Sequence, residues 1–399
     1  MVIVSSPVIQ IEKTRHGSVA TKGNQLLRLI RASQPVTRTE LAERLGVDKS
    51  TVTENIKPLV TGGILIEGTI DGGTKGRKRR VLSFAENDDY FIGINLGVRR
   101  TQVGATTLSG ELSGESDFET PESSTTALRM VRDHIERITR ARERMPKVIG
   151  VSVPGMTDAD RRRLLFAPNL GWQNVDIAGS ISPKDDVRVV VENDSTAAAL
   201  FEARVRIRET DSGLMSNFIL VRSGTGIGVG LVIGSEVYRG SGNGSGVAGE
   251  FGHMTIVAGG RQCVCGNRGC WEKYASAASA ASLYMGDRPP RAGETIPRFV
   301  EIVAKAENGE VRSQRTLEKI GDFLGIGIAN VIMGIGISRV VISGRLVYGW
   351  SFIEEPIREA IRRSIVGKMD GWSIEAGEPV GSAIGGALEV AVDDYLNRL

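Results

Sequence analysis

Cysteine and histidine are scarce in this 399-residue chain, which has three of each. The cysteines, Cys263, Cys265 and Cys270, crowd into one short segment, and an odd number placed that way excludes a disulfide framework. Long apolar runs are missing too. Val2 to Val4 is broken by Ser5, Ser6 and Pro7, with basic residues after it instead of before it, which is not the order of a signal peptide. No later stretch approaches the roughly 20 apolar residues of a membrane span, so a cytoplasmic protein is expected. A strong net charge is absent as well, but the formal +3 hides an asymmetry. Residues 1–87 hold 14 Lys and Arg against 8 Asp and Glu, while the remainder holds 36 against 39. Only the first part has the electrostatics of a polyanion binder. At 41% hydrophobic and 24% charged, the chain can bury cores for two or three domains.

Leu26, Leu27 and Ile30 recur at helical spacing until Gln34 and Pro35 end the segment. Thr37 and Glu40 have the spacing of a capping box before Leu41, Ala42 and Leu45, and Gly46 can terminate that helix. Asp48 or Ser50 can cap a third helix. Its Val52, Ile56 and Val60 form an inward stripe, which leaves Lys49, Ser50, Thr51, Thr53, Glu54 and Lys57 for an outward face. Pro58 removes a backbone donor there, and a kink or early end is expected. Apolar runs at Ile64 to Ile66 and Val81 to Phe84 flank a turn-rich stretch and read as a hairpin carrying Lys75, Arg77, Lys78 and Arg79. Three short helices followed by a basic hairpin make a winged helix-turn-helix. Its third helix is expected in the major groove of double-stranded DNA, with the wing on phosphates or in the minor groove.

From Tyr90 the texture changes to strands with glycine turns. FIGINLGVRRTQVGATTLSGEL from Phe91 and FILVRSGTGIGVGLVIGSEVYRG from Phe218 share one form, strand, turn, strand, turn, and lie 127 residues apart. Such a repeat suggests duplicated lobes around a cleft, of mixed α/β class, with helices at Thr126 to Arg144 and Ser313 to Met333.

His253, Cys263, Cys265 and Cys270 are four of the chain's six His and Cys residues, gathered in 18 positions. One imidazole and three thiolates suit tetrahedral zinc, and four protein ligands close the site, so a structural zinc is expected. A missing fourth cysteine argues against an iron–sulfur cluster.

These residues sit in a recognisable pattern. GEFGH (249–253) followed by CVCGNRGCWE (263–272) closely resembles the signature of the ROK family of repressors, open reading frames and sugar kinases. SVPG (152–155), PNLGW (168–172), END (192–194) and SGTGIG (223–228) resemble further family blocks in order. The resemblance covers about residues 88–399, and the N-terminal extension is similar to that of the repressor branch. It implies a two-lobed actin-like, ribonuclease H-like fold with a monosaccharide or derivative in the interlobe cleft. The domains implied are 1–87 for DNA binding, 88–198 for one lobe, completed by a C-terminal helix over 385–399, and 199–384 for the other. Carried over, Asn193, Asp194, Glu250 and Glu272 would hydrogen-bond the sugar. His253 would bind zinc and turn its other nitrogen toward the sugar, and Gly155 and Asn169 would line the same cleft. Fixed carboxylates and amides are the acceptors and donors that vicinal hydroxyls require.

In the family's kinases a first phosphate turn reads Asp-x-Gly-Gly-Thr. Here it reads Asn95, Leu96, Gly97, Val98, Arg99. Without the carboxylate and the second glycine, hydrated Mg²⁺ and a closely approaching phosphate lose their partners, so no ATP chemistry is expected and Asp194 becomes a vestigial base position. The reading is a sugar-responsive transcriptional regulator, most simply a repressor acting as a homodimer on paired half-sites. Two others stay open: an ATP-dependent sugar kinase with an appended DNA-binding domain, and a regulator governed by a partner protein.

Overall fold

The computed structural model describes residues 19–70, 78–110, 112–184, 187–209, 217–240, 247–288 and 295–399. Three helices open it, α1 (Val19–Ser33), α2 (Arg38–Leu45) and α3 (Lys49–Thr61), followed by an antiparallel hairpin of β1 (Leu65–Ile70) and β2 (Arg79–Phe84). The capping box forms. The Thr37 N–H donates to Glu40 Oε2 at 2.8 Å, the Glu40 N–H returns to Thr37 Oγ1 at 3.2 Å, and Gly46 ends α2 at φ 61°. Asp48 occupies the N-cap of α3 without a side-chain cap bond. The expected early end at Pro58 does not occur, because α3 runs on to Thr61. Pro58 and Glu54 both lie on the exposed side of α3, where a missing backbone bond costs less than in a buried interior.

The first lobe follows in order: β3 (Phe91–Leu96), β4 (Arg100–Thr106), β5 (Leu112–Glu119), α4 (Ser124–Arg142), β6 (Val148–Val153), a three-stranded flap of β7 (Met156–Thr157), β8 (Arg163–Ala167) and β9 (Trp172–Asp176), then α5 (Ile177–Ile181) and β10 (Arg188–Asn193). Helix α6 (Asp194–Glu209) leads to the second lobe. There β11 (Phe218–Ser223), β12 (Ile227–Ile233) and β13 (Glu236–Tyr238) precede α7 (Glu272–Ala275), α8 (Ser279–Met285), α9 (Phe299–Glu307), α10 (Val311–Ile335), β14 (Arg339–Gly344), α11 (Trp350–Arg363) and β15 (Ser373–Ala376). Helix α12 (Ser382–Leu396) closes the chain.

The sheets explain the sequence repeat. The first has the order β5-β4-β3-β6-β10 and the second β13-β12-β11-β14-β15. In each, three consecutive strands meander antiparallel, and two more add in parallel beside the first of them. Phe91 and Phe218 start the corresponding strands, β3 and β11. Parallel strands buried on both faces read as continuous apolar runs, which is how β3, β6 and β11 read.

The last helix returns to the first sheet. A Cβ on Gly93 or Gly150 would come within 3.0 Å of the α12 backbone, so bare glycines let the helix lie against β3 and β6. Helix α6 lies between α12 and β12 and spans the seam between lobes. Helix α1 docks on this seam. Arg28 Nε donates to Asp393 Oδ1 at 2.7 Å, Arg31 pairs with Glu389, and Gln25 Nε2 donates to the Gly234 carbonyl at 3.1 Å. One apolar cluster runs unbroken from Leu26, Ile30 and Leu41 through Leu82 to Phe91, Val148 and Val390, so the N-terminal unit shares a core with the first lobe.

Candidate functional site

A cleft of about 420 Å³ opens between the sheets, at the carboxyl ends of β3, β10, β11 and β14, where open α/β sheets place their ligands. Gly155, Asn169, Asn193, Asp194, Glu250, His253 and Glu272 all line it. Five blocks scattered over about 120 residues of sequence are thus brought to one surface.

Each is held from below. Asn193 ends β10 and caps α6, its Oδ1 accepting from the N–H groups of Ser195 and Thr196 at 2.9 and 3.2 Å. Its amide nitrogen faces the cleft and donates to the Gly155 carbonyl at 3.1 Å and to Glu250 Oε1 at 3.4 Å. The residue is therefore both a helix cap and a cleft group. Gly155 sits at φ 142°, a backbone state that a side chain would strain. Glu250 and His253 share a short 3-10 helix, and Glu272 begins α7. Burial, and then the carboxylates of Asp194 and Glu272, push Glu250 up to about 7. A carboxyl near that value can both donate to and accept from a hydroxyl.

The four sulfur and imidazole groups converge, with all ligand atoms within 4.8 Å of one another. Cys265 Sγ lies 3.7 Å from Cys270 Sγ, and Cys263 Sγ lies 3.6 Å from His253 Nδ1. Tetrahedral zinc with Zn–S near 2.3 Å and Zn–N near 2.0–2.1 Å requires about 3.8 and 3.6 Å. The donor set and its spacing fit. Nδ1 is the imidazole atom on the cluster side, while Nε2 lies 3.7 Å from Glu250 Oε2, on the cleft side. Glu272 Oε1 accepts from the Cys263 thiol at 3.1 Å, so this cleft carboxylate lies directly against the His and Cys cluster. Burial pushes the thiols of Cys263 and Cys270 up, which a bound dication would reverse.

At the other end of the cleft, Asn95 is buried, accepting from Ser152 Oγ at 3.1 Å and donating to Gln102 Oε1 at 3.1 Å. Asp194 Oδ2 lies 2.7 Å from Arg222 Nη1. Sequence reasoning missed Arg222, together with Arg99 and Arg345, which also line the cleft. The signal was available for Arg222, because it immediately precedes the SGTGIG turn.

On the N-terminal unit, Lys49, Ser50, Thr53, Glu54 and Lys57 are exposed along α3, and Thr51 is half-buried. Lys78 is exposed. Arg79 is exposed too, but its charge is shared with Glu40 Oε1 at 2.8 Å. Lys75 and Arg77 lie outside the described residues. No described helix is long and apolar enough to cross a membrane.

Comparison with known proteins agrees with this fold. The Xylose repressor of Bacillus subtilis (strain 168) is 29% identical over 355 residues, covering 86% of this chain and 87% of the relative. A crystal structure of a ROK family transcriptional regulator, a homolog of the E. coli MLC protein, superposes with a TM-score of 0.73 at 22% identity, over 95% of this chain and 97% of that one. A ROK family glucokinase from Streptomyces griseus, in complex with glucose and AMPPNP, superposes with a TM-score of 0.64 at 25% identity, over 76% and 99%. Residues 25–67 match a helix-turn-helix domain and residues 91–391 match the ROK family, and the chain belongs to that family.

Proposed function

We propose that this protein is a DNA-binding transcriptional repressor of sugar-metabolism genes whose operator affinity is set by a sugar bound between its lobes. The observation that carries the reading is the convergence of Asn169, Asn193, Asp194, Glu250, His253 and Glu272 on one cleft, in a chain whose N-terminal helix-turn-helix is docked on the seam of the same two lobes. In this reading residues 1–87 bind DNA, 88–198 with the last helix form one lobe, and 199–384 form the other. Asn193, Asp194, Glu250 and Glu272 grip hydroxyls. His253, Cys263, Cys265 and Cys270 hold a structural zinc, which fixes Glu272 and the imidazole relative to each other. Lys49, Ser50, Thr53, Glu54 and Lys57 face the DNA groove, and two copies read paired half-sites.

The cleft does not favour phosphoryl transfer. A general base must be free to take a proton from the sugar hydroxyl, and the Asp194 carboxylate is engaged by Arg222 at 2.7 Å. Asn95 spends both ends of its amide on Gln102 and Ser152 and brings no charge to organise Mg²⁺.

The test selects an operator from random duplexes with the full chain, then titrates the complex with a monosaccharide panel while ADP release is followed in parallel. At least one sugar is expected to change operator affinity about tenfold or more, in line with the usual range of coupling energies, without ADP release. Sugar-dependent ADP release that Asp194→Asn abolishes would make the protein a kinase. If no sugar changes DNA binding, control by a partner protein becomes the better reading.

A further inference from the structure

We infer that the sugar this cleft is built for carries a phosphate, held by Arg99, Arg222 and Arg345. The inference rests on the reading of the cleft as a sugar site and names the class of sugar. Four arginines line the same cavity; Arg100 is paired with Asp117 at 2.6 Å, and the other three come from three different strand ends. Arg99 sits in the turn between β3 and β4, its backbone fixed by the Thr120 N–H bonding to its carbonyl at 3.0 Å and by the Gly97 N–H closing on Arg100 O at 3.1 Å. Arg222 is the penultimate residue of β11. Arg345 follows Gly344 at the end of β14, the strand paired in parallel with β11, so Arg222 stands opposite Ser343.

The charges are close enough to oppose one another. Partial desolvation in the cleft, and then the positive charges of Arg99 and Arg222, hold the Arg345 guanidinium below its ordinary value. Of the cleft's carboxylates, Asp117 is taken by Arg100 at 2.6 Å, Asp194 by Arg222, and Glu250 and Glu272 sit against His253 and Cys263. Among the described residues no carboxylate lies within 4.0 Å of Arg99 or Arg345. Asp194 offsets only Arg222, and like charges left in excess of their counter-charge are unfavourable unless an anion completes them. A phosphate monoester carries about −1.5 to −2 at neutral pH and accepts the planar forks that arginine offers.

The arrangement also fixes where the anion lies. Asp194 belongs to the hydroxyl-binding set, and Arg222 touches it. The cationic group therefore begins where the polar set ends, so a phosphate on the ring substituent nearest Asp194 meets Arg222 first and has Arg99 and Arg345 beyond it. The Ser223 to Gly228 turn, which follows Arg222 directly, lines the same cleft. The change at Arg99, which removes the kinase-type threonine, supplies a cation in its place.

The experiment is calorimetric titration of the full chain with glucose, xylose and N-acetylglucosamine, with their phosphate monoesters, and with glucuronate and inorganic phosphate. At least one phosphate monoester is expected to bind ten or more times tighter than its neutral parent, and the preference is expected to fall below threefold in an R99A/R345A double variant. Both residues are exposed, so these truncations leave the fold intact. Any of four results overturns the inference: the neutral parent binds as well as its phosphate; the preference survives in R99A/R345A; inorganic phosphate alone binds as tightly; or glucuronate outcompetes every phosphate. A neutral sugar that binds and shifts operator affinity would defeat the phosphate inference yet leave the sugar-responsive repressor standing. Absence of binding by every sugar would defeat both.

Discussion

Gly327 offers a test of how the metal segment is held. It lies in α10 against the indole of Trp271, a fully buried residue between the ligand Cys270 and the cleft residue Glu272. Two effects oppose each other in Gly327→Ala. Alanine is the better helix former by about 1 kcal/mol. Its methyl, however, would come inside 3.0 Å of three indole atoms, and overpacking of that kind costs about 1–3 kcal/mol. Moving the ring also breaks the bond from Trp271 Nε1 to the Phe323 carbonyl at 2.9 Å, which strands a buried donor at about 1–3 kcal/mol. Packing wins, with a net loss of about 1–5 kcal/mol. Gly334→Ala is the control, because it lies in the same helix with nothing within 4 Å of its Cβ; it is expected to be neutral or to stabilise by up to about 1 kcal/mol. Thermal unfolding followed by near-ultraviolet circular dichroism should separate the two in sign, and metal content and sugar affinity should fall only in Gly327→Ala. If both variants shift the transition equally, Trp271 does not brace the site and the argument fails.

Three other perturbations probe separate parts. Cys265→Ser is expected to lower metal content from about one ion per chain to a small fraction of that, and to weaken sugar binding, since a closed four-ligand site loses a thiolate; full retention of metal, measured by elemental analysis, would dismiss the cluster. Lys49→Ala with Lys57→Ala should reduce the slope of log K against log salt for DNA binding by about 2, or about 0.9 per lost phosphate contact, and an unchanged slope would remove α3's lysines from the backbone. Burial raises the Glu389 carboxyl, but the charges of Arg31 and Arg204 outweigh it and hold it below the usual range. A depressed folded value gives stability that is present above the unfolded value near 4.3 and lost as pH falls through the folded one. Glu389→Gln should therefore cost about 3–5 kcal/mol at pH 7 and should differ less from the parent below about pH 4; a gap that stays constant down to pH 3 would contradict the pairing.

Local chemistry was legible wherever one residue type has one physical use. Thr37, Glu40 and Gly46 announce a capped helix, and the structure has it. The clustering of all three cysteines with His253 announces a metal site without any knowledge of the fold, and the ligand atoms converge. The repeat from Phe91 and Phe218 announces two like sheets, because strand order follows from the same run of meander and crossover. What stayed hidden depends on long-range pairing. Nothing near Arg345 in sequence marks it as a cleft residue; it becomes one because β14 is inserted beside β11, more than 100 residues away. Arg28 and Arg31 look like the outward face of an ordinary first helix, and only the return of α12 brings Asp393 and Glu389 to them. The early end expected at Pro58 failed for the opposite reason. A rule for buried helix interiors was applied to an exposed position.

The docking of α1 constrains how a ligand in the cleft could alter DNA binding. Helix α6 begins at Asp194 in the cleft and carries, about 15 Å along its axis, Arg204, which bonds Glu389 at 2.6 Å; Glu389 in turn holds Arg31 of α1. Sixteen residues at 1.5 Å each make a rod of about 24 Å, so a shift at its capped end is carried to the other without a relay of side chains. A second connection runs beside it. Glu192, next to Asn193, holds Arg239 at 2.6 Å, Arg239 lies 3.9 Å from Asp393, and Asp393 holds Arg28 of α1. Undocking α1 would break these ties and also expose the apolar cluster it shares with the first lobe. Each buried Leu or Ile there is worth about 1.5–3 kcal/mol, together more than the roughly 1–3 kcal/mol of a typical coupling between sites. A ligand's coupling energy is therefore too small to free the helix-turn-helix from its seat. In the proposed reading the N-terminal unit would then move with α6 and α12 as one body, and a ligand would change DNA affinity by re-aiming that body, not by releasing it.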